Sequence, residues 1–189
     1  MKALKLASFP GMAERVSALY NEDEDALLLA MLGQEYIIRH DGITLHGQKA
    51  PEHQASVILD YLFSTGSSLA LMPWRTPGDF SGAPLPEFRQ RVEQPITQYA
   101  AEIIARAAAI LPLFDAKVAP SLIGSDLAIN VRALPKVHLH VELSQETPDF
   151  PAEVWVLFSN NAHEFISVAS MQRIGELLKD RVVSLLRIY

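Results

Sequence analysis

The sequence predicts one α+β domain over residues 1–189, with antiparallel sheets packed by about five helices. Three observations carry this expectation. Asp41-Gly42 is a hairpin signal set between two β-rich stretches, Glu35–His40 and Ile43–His46. Lys136–Leu143 alternates strictly, with Val137, Leu139, Val141 and Leu143 on one side and Lys136, His138, His140 and Glu142 on the other. Ile96–Ile110 and the C-terminal stretch repeat apolar residues at helical spacing. Helices and strands do not alternate regularly, which argues against a doubly wound parallel sheet.

The elements follow in order. Ala13, Val16, Leu19 and Tyr20 predict a short helix over residues 11–20, and the acidic run Asn21–Asp25 ends it or begins the next element. Ala26–Leu32 has helical composition but a strand context, so a three-stranded meander is expected over 26–46. Pro51 opens a helix whose stripe is Val57, Ile58, Tyr61 and Leu62, with Gly66 in the place of a C-terminal cap. An extended segment, Leu69–Trp74, runs into the turn-rich loop Arg75–Gly82. Pro84–Glu93 reads as a helix, and Pro95 separates it from a helix over 96–111. Pro112 and Pro120 bound a connector. Strands follow at Asp126–Ala133, Lys136–Leu143 and Glu153–Phe158, then a loop or single helical turn at Asn160–Glu164 and a last helix over Ala169–Arg187.

Composition narrows the function classes. The 189 residues are 49% apolar and 20% charged, as in globular proteins, and the net charge of −6 disfavours nucleic-acid binding. Cysteine is absent, which excludes disulfides, cysteine nucleophiles, thiolate-bound zinc and cysteine-ligated iron–sulfur clusters. The N-terminal Met1–Pro10 carries positive charge without a sustained apolar core, so a secretory leader is not expected. Tyr99–Phe114 is interrupted by Glu102 and Arg106 and is too short to span a bilayer. The expectation is a soluble, cytoplasmic protein. Phosphate-binding glycine loops and a nucleophile elbow are missing.

Two groups of residues hold the candidate chemistry. His138, His140 and Glu142 share one face of a strand, as ligands of a metal or an acid–base pair would. The spacing departs from that of a cupin barrel, and no second histidine motif accompanies it, so the competing reading is a half-buried strand with its polar face in water. Trp74 and Arg75 precede a loop that contains Asp79 and runs to Gly82. A tryptophan beside an arginine suits stacking on a ligand or a binding hot spot, against the alternative of a tryptophan filling the core. His40, His46, His53, His163 and Glu164 read as turn and surface residues, and Trp155 as core.

Several stretches taken together resemble a known family. They are Leu32–Tyr36, Ile58–Leu62, Trp74 with Pro77-Gly78, Asp149–Glu153, and Val156–Phe158 followed by Ala162 and Phe165-Ile166. In this order, over roughly residues 20 to 185, they are similar to domain of unknown function family 3786, found in anaerobic bacteria and archaea. Asp60 stands where relatives often have histidine, and Ser159 where aspartate is usual. The resemblance implies an accessory role in anaerobic redox or one-carbon metabolism, with no established chemistry. The function expected is therefore a non-catalytic protein binding a small ligand or a protein partner through Trp74, Arg75 and Asp79. The alternatives are a metal protein using His138, His140 and Glu142, or a scaffold. A homodimer through the alanine-rich helix or an open sheet edge is a further expectation.

Overall fold

The structure, a computed structural model, describes residues 4, 7–80 and 85–188. The expected helix start at Pro84, the loop residues Ser81 and Gly82, and half of the segment read for a leader lie outside them.

Two antiparallel meanders organise the chain. The first has five strands in sequence order: β1 (Leu19–Asn21), β2 (Ala26–Met31), β3 (Gln34–Arg39), β4 (Gly42–Leu45) and β5 (Gln48–Lys49). The expected three strands are present, but the sheet extends one strand further at each end, and Leu19 and Tyr20 belong to β1 rather than to a helix. The preceding helix, α1, is Phe9–Val16. The second meander has four strands: β6 (Ala116–Ala119), β7 (Leu127–Leu134), β8 (Val137–Ser144) and β9 (Glu153–Phe158). β6 replaces part of the expected connector.

The sheets meet at the β2–β3 turn. Leu32 and Gly33 both take positive φ (50° and 72°), the requirement of a two-residue hairpin turn. Leu32 N–H donates to Ala133 O at 3.0 Å, which ties the turn to β7. A side chain at Gly33 would meet Leu113 O at 2.6 Å, so glycine is also needed for close approach.

Helices cover the apolar face of the second sheet. α7 (Val168–Leu186) runs along the molecule and packs against α2 (Glu52–Leu62) and α5 (Ala100–Ile110). Its buried stripe includes Met171, Ile174, Leu178, Val182 and Leu185, the positions that helical periodicity picks out. Between α3 (Leu85–Phe88) and α4 (Gln94–Thr97) the chain widens into a π-helical turn, Arg89–Glu93. Phe88 and Val92 press on α7 at Gly175, where an added Cβ would lie 2.7 Å from the Phe88 ring. The single helix expected over 96–111 is instead α4 and α5, broken at Gln98-Tyr99, and α5 runs on into a 3₁₀ turn at Leu111–Phe114.

Gly66 does not cap α2, which ends at Leu62. It lets the chain pass Glu164, whose carbonyl oxygen an added Cβ would meet at 2.7 Å. No helix among the described residues is long and apolar enough to cross a membrane.

Candidate functional site

The extended segment before residue 76 lines up along the outer edge of β9. Arg75 and Phe158 exchange two backbone hydrogen bonds, at 2.9 and 2.8 Å, and Asn160 N–H donates to Leu71 O at 2.8 Å. Neighbouring residues of an extended chain point to opposite sides. Trp74 and Arg75 therefore part company across the sheet.

Trp74 turns to the face that carries the even-numbered residues of β8. Its ring stacks on His140, with centroids 5.2 Å apart and planes 26° from parallel. His140 Nδ1 lies 2.7 Å from Asn130 Oδ1, and Nε2 donates to Glu142 Oε1 at 2.9 Å. Glu142 also accepts from Leu122 N–H at 2.6 Å, from Ser121 Oγ at 2.7 Å and from Ser125 Oγ. Ser121 Oγ in turn gathers the amides of Ile123, Gly124 and Ser125. Burial alone would raise the Glu142 carboxyl. The hydrogen bonds from Ser125, Leu122, His140 and Ser121 outweigh it, and the group titrates below its ordinary value.

The expectation that β8 turns its polar face to water is thus corrected. His140 and Glu142 are each only 1% exposed, because Trp74 and the 121–125 loop lie over them. His138 is partly covered, and burial, aided by the Arg132 charge, lowers its pKa against an opposing backbone hydrogen bond. Both ring nitrogens of His140 and both oxygens of Glu142 are engaged inside the protein. Among the described residues no three histidine, aspartate or glutamate side chains converge as metal ligands would.

Arg75 turns to the helical side. There it lines a cleft of about 440 Å³ with Asp79, Phe80, Asn160, His163, Ser167 and the side chains of Ile166, Val168 and Met171. Nε of Arg75 donates to Asn160 Oδ1 at 3.0 Å, and the guanidinium has no carboxylate partner among the described residues. Asp79 is occupied with its own turn: its Oδ2 accepts from Thr76 N–H and Thr76 Oγ1 at 2.7 and 2.9 Å. His163, in α6 (Ala162–Phe165), lies 3.0 Å through Nδ1 from Asn160 O, so Nδ1 carries the hydrogen and Nε2 is left to a ligand. The Phe80 ring tilts over it at 5.7 Å.

The cleft floor is fixed by the start of α7. Ser167 caps the helix by accepting from Ser170 N–H, and Ser167 N–H donates to Asp60 Oδ2 at 2.7 Å. The first turn of this 19-residue helix carries no acidic residue of its own, and the Asp60 carboxylate bound to its cap amide supplies the negative charge at that end. Glu164 accepts from Ser67 and Ser68 N–H, both at 3.2 Å. These amides hold its pKa below the ordinary carboxyl value and its carboxylate away from Arg75.

Of the residues singled out by sequence, Arg75 and Asp79 come together in the cleft. Trp74 joins His140 and Glu142 in the closed cluster instead. Phe80 belongs to the same turn-rich loop, while Asn160, His163, Ser167 and Met171 complete the cleft from the single stretch 160–171, which was not nominated because it carries no motif. Asp60 and Ser159, the two positions expected to differ from relatives, both adjoin the cleft: Asp60 holds Ser167, and the buried Ser159 precedes Asn160 and accepts from His138 N–H at 3.1 Å. Trp155, expected in the core, is half-buried on the face opposite the core, under Arg89 at 4.8 Å.

Residues 8–181 match the family model described as Domain of unknown function (DUF3786), and the chain belongs to that family. No curated protein and no solved structure matches it.

Proposed function

We propose that this member of the family is a non-catalytic binding protein that takes a small molecule with an anionic group and an apolar body into the cleft between Arg75, His163 and the start of α7. One observation carries the reading: a guanidinium without a carboxylate partner opens on a cavity of about 440 Å³ whose remaining walls are largely apolar. Sites for small molecules commonly join an apolar enclosure to a few convergent polar groups. Arg75 would pair the anion in a forked geometry, His163 Nε2 would accept or donate a further bond, and Phe80, Ile166 and Met171 would cover the apolar part. The setting that goes with this reading is the cytoplasm, as an accessory of anaerobic redox or one-carbon metabolism, which the family resemblance implies.

Native mass spectrometry of anaerobically purified protein, set against the denatured mass, tests it. An adduct of small-molecule size that disappears in Arg75→Ala is the expected result. The reading is overturned if wild type is free of any adduct and a panel of aromatic and aliphatic carboxylates and phosphate esters leaves its melting temperature unchanged.

A further inference from the structure

A second pocket, of about 200 Å³, opens on the other side of the molecule, where the β2–β3 turn, the start of α2 and the second half of α7 meet. Arg181 is its central group. Arg181 is partly buried and donates through Nη2 to Leu113 O at 2.8 Å; Nε is closed off without any acceptor, so Nη1, which has no partner among the described residues, is the donor that a ligand would reach. No carboxylate pairs with it among the described residues; Asp180, which also reaches the pocket, is paired with Lys179 Nζ at 2.8 Å. Tyr36 does not supply the missing charge. Burial pushes its hydroxyl up to about 12, so it stays neutral, although the Arg181 charge acts the other way.

A partly buried cation with an unused donor is a costly arrangement, because the desolvation is not repaid by a partner. The surroundings are built to receive an acceptor. Tyr36 O–H donates to Gln54 Oε1 at 3.1 Å, which commits the amide oxygen and leaves its NH₂ group to donate. Gln34 and the Ser184 hydroxyl line the same space, and Gln54 lies in the first turn of the 11-residue α2. The anchor is rigid as well: Gly33 sits against Leu113 and Phe114 too closely to admit a side chain, which fixes the carbonyl that Arg181 grips.

We infer that this pocket binds a small oxyanion, a phosphate or carboxylate group held by Arg181 with Gln34, Gln54 and Ser184. The volume of about 200 Å³ leaves room for such a group and lies below that of pockets for drug-sized ligands. The site is separate from the Arg75 cleft and stands whether or not that cleft is occupied.

Amide and side-chain NMR spectra recorded while inorganic phosphate, and separately acetate, is titrated into the full chain test the inference. The expected result is saturable shifts at Gln34, Gln54, Arg181 Nε–H and Ser184 for at least one probe, with the tighter probe identifying the group. Arg181→Gln should weaken that binding at least tenfold. Arg181→Lys, which keeps the charge, should retain part of it and guards against a glutamine variant that does not fold. Absence of saturable shifts with both probes overturns the inference, as does equal binding in a folded Arg181→Gln variant.

Discussion

One peptide bond separates Trp74 from Arg75, and the two side chains enter opposite kinds of environment. On the Trp74 side, every strong donor and acceptor of His140 and Glu142 is matched within the chain, and the cluster is sealed. On the Arg75 side, a charge without a carboxylate partner faces open space. Residue types that look chemical in sequence are thus spent on holding the second face of the sheet together. The cleft has unmet bonding capacity, although its residues look ordinary one by one. A ligand competes only for groups that the fold has left unpaired, so the open side is the better place for binding.

The contrast is open to direct tests. The largest effect is expected from His140→Leu or Glu142→Leu, each of which strands a buried polar partner. Either should cost about 3–5 kcal/mol in urea unfolding, and a loss below about 1 kcal/mol would mean that the cluster is not structural.

Trp74→Ala should come next, at about 2 kcal/mol, through lost packing and the ring stack on His140. Any ligand affinity of the cleft should survive it in the folded protein. Equal loss of binding in Trp74→Ala and Arg75→Ala would remove the distinction between the two sides.

Acid unfolding separates them again. Glu142 titrates below its ordinary value of 4.5 in the folded protein, so the unfolded chain takes up the proton first. Its stabilisation is complete above that value and is lost as pH falls through the folded pKa, at up to about 1.4 kcal/mol per pH unit. His138, also lowered, adds to the decline as pH drops below 6.5. Glu93 works in the opposite sense. Burial raises its pKa, against the hydrogen bond from Val156 N–H and the Arg89 charge, so its contribution is present below 4.5 and is lost as pH rises through the folded pKa. Stability curves of Glu142→Gln and wild type should therefore converge at low pH; parallel curves would refute the assignment.

The smallest effect is expected from Arg75→Ala. Its backbone bridge to Phe158 does not need the side chain, so unfolding should change by about 0.5 kcal/mol or less. A change above about 2 kcal/mol would place Arg75 among the structural residues.

Much of the fold was legible. The strands of residues 26–46, the β7–β8 hairpin and α7 follow from alternation and helical spacing over enough residues to show a period. β1, β5 and β6 did not, since strands of two to four residues barely display one, and only their neighbours' edges make them strands. The π-helical turn at Arg89–Glu93 was equally hidden, because its fit depends on Phe88 and Val92 meeting Gly175 of α7. Of the cleft, sequence offered Arg75 and Asp79 through their turn-rich loop. His163 and Ser167 gain meaning only from the chain that packs beside them.

The sequence by itself determined that His138, His140 and Glu142 lie on one face of β8, because a strand's period of two is a local property of the backbone. Whether that face would be wet, metal-bound or buried was decided by tertiary structure. Trp74 arrives from a distant part of the chain and the Ser121–Ser125 loop from the β6–β7 connection to cover it, and Arg75, one residue on, is carried by the same backbone to the opposite side. Burial and pairing depend on which segments meet, and local periodicity holds no record of that.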